Sequence, residues 1–360
     1  MMRILQLIDS LQTGGAEKMA VALANELVEE IGFSALVVSR LDGPLKIAID
    51  PKVAFLLLHR QSVFDLRALR KLKQFCITHQ ITHVHAHGTS YFLAFLLKLI
   101  WPSIKLIWHD HNGLAKKKST WIELLKCQLL KSFQGIIVVN TILEQYHRKR
   151  FPNIPMLTLP NFYVAPPKNN TWETSSLQGT AGKRIILVAN YRPVKNQLLA
   201  LEAAAKLRTE FPDWSFHLLG HPVHSGYYEQ LIQMHGKLQL DDYVFFYPDG
   251  QGVDARMIQS DIGLLCSDYE GLPLSVIEYG IHGLPVVCTG VGALPQLIEK
   301  EMGFLVAPNQ VNELVKALRT LMQNPDLRLS MGKAFQYKIN QSYTAKNVMP
   351  QYVGWVQSNF

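Results

Sequence analysis

Cysteine is scarce: Cys76, Cys127, Cys266 and Cys288 are the only four in 360 residues, with no CxxC spacing and no histidine at a metal-ligand interval. That excludes a disulfide-stapled or zinc-ribbon scaffold. It points to a reducing compartment in which the four act as small apolar side chains. No apolar run approaches the roughly 20 residues that a bilayer-spanning helix needs. The most apolar stretch, 91–100, carries Lys98 and stops at Trp101-Pro102, so a buried helix is expected. A secretory leader is not expected either, because residues 3–8 already read as a first strand. No GxGxxG turn follows a strand, which argues against a dinucleotide dehydrogenase. No helix-turn-helix, aromatic RNA-binding motif or zinc module is visible, which argues against nucleic acid as a partner.

What is present is ordinary in bulk and uneven in detail. The chain is 48% hydrophobic and long enough for two domains. Its net charge of +8 sits wholly in the first half: residues 1–170 hold 21 Lys and Arg against 11 Asp and Glu. An anionic partner for that half follows, either a phospholipid surface or a phosphorylated substrate. Short β-branched runs at 3–8, 35–39, 53–58, 83–86, 105–108 and 135–139 alternate with helical patterns such as 17–31 and 65–79. That order predicts a parallel sheet with right-handed crossovers. Residues 161–183 lapse into a Pro-, Asn-, Ser- and Thr-rich linker composition. The alternation then resumes at 184–189, 215–219, 243–247, 262–266 and 285–288. The expected architecture is α/β, two doubly wound halves facing each other across a ligand-binding cleft.

The most informative segment is 261–290, DIGLLCSDYEGLPLSVIEYGIHGLPVVCTG. It reads as strand, loop, helix over 273–282, glycine stop and strand. Pro273 suits a first helical turn, and the amides of Leu274 and Ser275 would then face outward as a phosphate site. Glu270 lies in the loop before the helix and Glu278 more than a turn inside it. Such carboxylates can accept hydrogen bonds from sugar and ribose hydroxyls. From spacing alone, a plain surface loop followed by a solvated helical glutamate fits equally well.

The stretch from Glu270 through GLPLSVI to Glu278, with GIHGLPVV and Gly292 behind it, resembles the E-x7-E region of glycosyltransferase family 4. Gly14-Gly15-Ala16-Glu17 resembles that family's N-terminal glycine loop, Leu159-Pro160-Asn161 its PN turn, and Val188–Asn196 the opening of its donor domain. The resemblance spans most of the chain. It implies a GT-B fold, with an N-terminal acceptor-side Rossmann-like domain over 1–170, a nucleotide-sugar donor domain over 171–345, and a C-terminal helix over 346–360 returning toward the first. It also implies retention of anomeric configuration.

Residue by residue, the resemblance gives Lys195 the donor diphosphate, Glu278 the nucleotide ribose, Glu270 the donor sugar, and Leu274 and Ser275 backbone contacts to the diphosphate. The family's partner arginine falls where this chain has Asn190, and Arg192 is the nearby substitute. Lys195, the amides and the helix terminus can meet the leaving charge. There is also no DxD triplet, so neither a metal nor a cofactor is expected. In KLIWHDHNG, strand-length alignment places His111 near the donor sugar, with His109 as runner-up, where a histidine can hydrogen-bond a hydroxyl or assist proton movement. A capped loop with solvent-facing imidazoles is the plainer reading of that pair.

Three weaker signals complete the inventory. Gly14 and Gly15 could admit a close-lying donor, although a tight strand-to-helix turn would need the same glycines. His83, His85 and His87 share one strand face; a metal is conceivable, core and edge histidines are the simpler expectation, and His87 alone is placed near a ligand. Lys116–Lys118 precede a helix whose apolar members are Trp121, Leu124, Leu125, Leu129 and Phe133. That helix reads either as a membrane-surface element or as a core-packing helix with a solvated lysine edge.

The expected protein is thus a cytoplasmic glycosyltransferase, either free or peripheral on the inner face of the plasma membrane. Its expected partners are a nucleotide-sugar donor such as a UDP-sugar and a glycan or lipid-linked acceptor, in polysaccharide or lipopolysaccharide assembly. A nucleotide-sugar epimerase of the same architecture and a non-catalytic glycan- or nucleotide-binding scaffold are the rival readings. Neither accounts as well for Lys195, Glu270 and Glu278 together.

Overall fold

The computed structural model describes residues 2–112, 121–165, 176–223, 225–249 and 252–360. Lys116–Lys118 and residues 166–175 of the expected linker lie outside the described residues. The chain divides into two compact units, Met1–Val164 with Ala345–Phe360, and Ala165–Thr344. All four cysteines are free thiols, and burial pushes that of Cys76 up to about 12. Among the described residues no helix is long and apolar enough to cross a membrane.

The first unit is built on a seven-stranded parallel sheet. Its strands are β1 (Ile4–Ser10), β2 (Ser34–Leu41), β3 (Ala54–Leu57), β4 (His83–His87), β5 (Lys105–Asp110), β6 (Gly135–Val138) and β7 (Met156–Thr158). They lie side by side in the order β3-β2-β1-β4-β5-β6-β7. Helices return the chain between them, and polar caps set where those helices start. The Asp65 carboxylate accepts from the Ala68 amide at 2.9 Å and opens Leu66–Thr78. The Asn140 side chain does the same for Leu143 at 2.8 Å and opens Thr141–Arg148. Each such cap contributes about 1 kcal/mol. The C-terminal helix Ala345–Asn359 belongs to this unit, with Tyr352 fully buried. The Lys105 ammonium bonds the Phe360 carbonyl and fastens the chain end to β5.

The second unit repeats the plan with six parallel strands. These are β8 (Arg184–Val188), β9 (Ser215–Leu219), β10 (Val244–Tyr247), β11 (Ile262–Leu265), β12 (Val286–Thr289) and β13 (Gly303–Val306), in the order β10-β9-β8-β11-β12-β13. A core of Ile185, Leu187, Phe216, Leu218, Ile262 and Leu264 packs against the helices Gln197–Leu207 and Val311–Gln323. Strands β7 and β13 were not foreseen. Both are short edge strands whose residues carry no period of their own, so only pairing with β6 and β12 makes them strands.

Candidate functional site

Strand order reverses between β1 and β4 in the first unit and between β8 and β11 in the second. Loops leaving the carboxyl ends of two such strands diverge, and the gap between them is where open parallel sheets bind ligands. Lys195 follows β8 and Glu270 follows β11; Gly14 and Gly15 follow β1, and His87 ends β4.

In the second unit the loop after β8 is anchored by Tyr191, fully buried, whose hydroxyl donates to the Leu218 carbonyl at 2.7 Å. Its neighbours diverge. Asn190 turns its side-chain oxygen to the His221 amide at 3.1 Å, tying this loop to the end of β9, while Arg192 is exposed. A 3-10 turn over Pro193–Lys195 ends at Asn196 with φ 49°, a left-handed conformation that asparagine tolerates. The Asn196 side-chain Nδ2 donates to Asp268 Oδ1 at 3.1 Å and to Asn309 Oδ1 at 2.7 Å, and the Asp268 backbone amide donates to the Val194 carbonyl at 2.9 Å. Two loops distant in sequence are thereby fastened together.

That fastening brings the Lys195 ammonium to 2.6 Å from Glu270 Oε1, and the Ser267 hydroxyl donates to the same oxygen at 2.7 Å. The side chains are 24% and 9% exposed, so the pair is sheltered and screened less by salt than a surface ion pair. Gly292 underlies it. With φ +57° it crosses the Glu270 backbone so closely that a Cβ there would stand 2.1 Å from the Glu270 carbonyl oxygen. The Ala293 amide donates to the Gly271 carbonyl at 3.0 Å and completes the clasp.

The helix beside this loop runs Leu274–Ile281, so Pro273 stands at the cap in extended conformation (φ −69°, ψ 123°) and not inside the first turn as expected. Its ring offers no side-chain acceptor, which leaves the Leu274 and Ser275 amides without an acceptor inside their own helix. Glu278, 7% exposed, lies one turn further in. A lysine cation, an open helix terminus and two carboxylates are therefore assembled within one unit. Such a set can hold a diphosphate and accept from hydroxyls on either side of it.

In the first unit Gly14 caps the helix Gly15–Ile31 with φ −154° and ψ 159°, extended backbone that any residue adopts. Gly15 is not left-handed either. The turn does not require these glycines, which corrects the expectation that it would. A Cβ on Gly15 would meet nothing within 4 Å, and one on Gly14 only the movable Glu17 carboxylate. What the pair leaves is open room before a helix terminus.

The histidines regroup. His83 pairs with Thr82 at 2.7 Å and faces the Phe360 ring, apart from the others. The β4–β5 register sets His87 opposite His109, so His85, His87, His109 and His111 stack into one cluster. His109 is 1% exposed and stacks on His111 at 3.8 Å between ring centroids. His111 is half-buried, with Nε2 2.8 Å from His87 Nδ1. Of the two candidates, only His111 reaches the surface. Burial pushes His111 down to about 4, against the opposing pull of Asp110, and holds His85, His87 and His109 well below the usual imidazole range. At neutral pH all four are uncharged.

On the helix Trp121–Leu130 the expected apolar members part company. Trp121 is 73% exposed, Leu124 63% and Leu125 49%, whereas Phe133 beyond the helix is buried. Leu129 is half-buried and Leu130 buried, so the helix packs along one side and leaves Trp121, Leu124 and Leu125 exposed. Ser267, Asp268 and Asn196, which hold the Lys195–Glu270 geometry, went unrecognised as site residues. The sole sequence signal was an asparagine directly after Pro-Val-Lys.

A sequence profile described as Glycosyltransferase Family 4 matches residues 13–163, and one described as Glycosyl transferases group 1 matches residues 169–337. An "uncharacterized glycosyltransferase" of Haemophilus influenzae is 25% identical over 95% of this chain and 96% of its own length. The N-acetyl-alpha-D-glucosaminyl L-malate synthase of Bacillus anthracis is 23% identical over 76% of this chain and 73% of its own. Among solved structures, Anabaena HepE in complex with UDP and glucose superposes with a TM-score of 0.81 at 18% identity, covering 99% of this chain and all of that one. With the two parallel-sheet units, that likeness shows the GT-B fold.

Proposed function

Because the chain belongs to the family 4, group 1 glycosyltransferases, we propose that it moves a sugar from a nucleoside-diphosphate sugar to a hydroxyl of a glycan or lipid-linked acceptor, with retention of anomeric configuration. The observation that carries this reading is the Lys195–Glu270 contact at 2.6 Å beside the open start of the helix Leu274–Ile281. An arriving diphosphate takes Lys195 as its counter-ion and the Leu274 and Ser275 amides as donors. Glu270, released from the lysine, accepts from hydroxyls of the transferred sugar, and Glu278 accepts from the ribose. Arg192, exposed on the same loop, adds a second cation, while Asn190 holds the loop.

In the reaction the bond from the anomeric carbon to the diphosphate oxygen breaks and the acceptor oxygen bonds to that carbon. The hydroxyl proton passes to an oxygen of the leaving diphosphate on the same face. The donor nucleotide binds the second unit and the acceptor binds the first, where His111 acts as a neutral hydrogen-bonding imidazole. No metal enters this scheme. UDP-sugars are the first donors to test, since HepE holds UDP. Exposed Trp121, Leu124 and Leu125, next to a basic sequence, favour an anionic membrane surface as the place of acceptor encounter, with polysaccharide or lipopolysaccharide assembly at the inner face of the plasma membrane as the setting.

The test is a screen of nucleotide sugars for transfer and thermal stabilisation, followed by Lys195→Ala, Glu278→Ala and Glu270→Ala. The first two should weaken donor binding or turnover by roughly 100-fold or more, and the third should chiefly lower kcat. Wild-type kinetics in all three, or an inverted product by NMR, would overturn the assignment.

A further inference from the structure

The four-histidine cluster of the first unit is larger than the transfer reaction needs, and its hydrogen bonding is incomplete. Both ring nitrogens of His109 and Nε2 of His85 are buried without a hydrogen-bond partner among the described residues. Buried polar atoms are rarely left so, and each such atom asks for an explanation. Of the other nitrogens, His111 Nδ1 is likewise buried without a partner among the described residues, while two are committed in a particular way. His85 Nδ1 lies 2.9 Å from the Tyr352 hydroxyl, and His87 Nε2 lies 2.7 Å from Gln6 Oε1. An amide oxygen only accepts, so His87 carries its proton on Nε2 and turns the lone pair of Nδ1 inward. Both nitrogens of His109 are left without a partner among the described residues, whereas His85 and His87 each have one nitrogen held from outside the cluster and the other turned away from that support. The latter is the pattern in which metal-ligating histidines are held by groups behind them.

We propose that His85, His87 and His109 bind a single first-row transition-metal ion of the cobalt-to-zinc series, with the fourth position left to water. One nitrogen from each of His85, His87 and His109 lies within 4.8 Å of the other two, and all three residues are buried. Imidazole ligands at about 2.0–2.1 Å from a tetrahedral ion stand about 3.4 Å from one another, so the rings need to close by up to about 1.4 Å. Imidazole donors select Co²⁺, Ni²⁺, Cu²⁺ or Zn²⁺ over Mg²⁺ and Ca²⁺, which require oxygen. The ion ties β4 to β5 and, through Tyr352, to the C-terminal helix. The site shares no residue with the diphosphate site of the other unit.

The test uses the untagged full chain, stripped with a chelator and dialysed, then titrated with Co²⁺ while visible d–d absorption is followed. The expected result is tetrahedral Co²⁺ bands saturating at one ion per chain, displaced by Zn²⁺, with Zn²⁺ raising the melting temperature by mass action. His109→Asn should weaken binding roughly 100-fold or more, and Gln6→Leu, which removes the acceptor behind His87 and a donor to the Tyr352 hydroxyl, by about 10- to 100-fold. His217→Gln, a buried histidine of the other unit, should leave it unchanged. Absence of the bands overturns the proposal, as does affinity in folded His109→Asn equal to that of the parent. Should His109→Asn fail to fold by circular dichroism, Gln6→Leu decides alone, and an unchanged affinity there overturns the proposal as well.

Discussion

Replacing Gly292 with alanine tests the construction of the candidate site without touching any charged group. The added Cβ would sit 2.1 Å from the Glu270 carbonyl oxygen, 2.8 Å from its carbonyl carbon and 2.9 Å from the Gly271 oxygen. All three are backbone atoms, which cannot swing aside as a side chain would. An ordinary carbon–oxygen contact is about 3.3 Å, so one of the two strands of the clasp must move by about 1 Å. Holding alanine at φ +57° adds about 1–2 kcal/mol, and the forced repacking about 1–3 kcal/mol. The expected destabilisation is therefore about 2–5 kcal/mol. Because the Glu270 loop is what moves, the Lys195–Glu270 contact should loosen and UDP affinity should fall by at least about tenfold, which is about 1.4 kcal/mol. Urea unfolding followed by circular dichroism reads the first quantity and calorimetric titration with UDP the second. Gly290→Ala is the control: its Cβ would meet the nearest atoms at 3.7 and 3.9 Å, ordinary contacts, so its stability should change by less than about 1 kcal/mol. A Gly292→Ala protein with the parent's urea midpoint and UDP affinity would refute the reasoning.

Two further outcomes follow from particular side chains. Gly15→Ala should fold as well as the parent, or gain up to about 1 kcal/mol from helix propensity, because its Cβ meets nothing within 4 Å. Its kcat/KM should nonetheless drop if the room before that helix receives substrate, and unchanged kinetics would remove the glycines from the site. Burial pushes His217 down to about 3 in the folded chain, so between pH 3 and the unfolded value of 6.5 the unfolded state binds the extra proton. Stability supplied by neutral His217 is complete above 6.5 and declines toward pH 3 by up to about 1.4 kcal/mol per pH unit. His217→Gln should flatten urea midpoints measured from pH 4 to 7.5 relative to the parent, and parallel profiles would contradict the assignment.

Much of the fold was legible in the sequence because parallel strands buried on both faces leave continuous β-branched runs, and crossover helices leave a second period between them. Eleven of the thirteen strands among the described residues could be read this way, and the two that could not, β7 and β13, are short edges defined by a neighbour's register. Around the site, Lys195, Glu270, Glu278 and the Leu274–Ser275 terminus stood out because charge and proline carry local meaning. Ser267, Asp268 and Asn196 did not, since a polar loop residue gains a role only from what lies across from it.

The sequence by itself determined which segments become strands and helices, where one unit gives way to linker composition, and which charged residues follow which strand. Tertiary structure alone decided who meets whom. His83, His85 and His87 alternate on one strand, where successive same-face residues stand about 6.7 Å apart, too far for three rings to converge. Pairing β4 with β5 sets His109 opposite His87 and leaves His83 outside the cluster. In the same way the strand order β9-β8-β11 puts Lys195 against Glu270, 75 residues along the chain. Local propensity acts over a few residues and has no knowledge of sheet order, which is fixed by long-range packing.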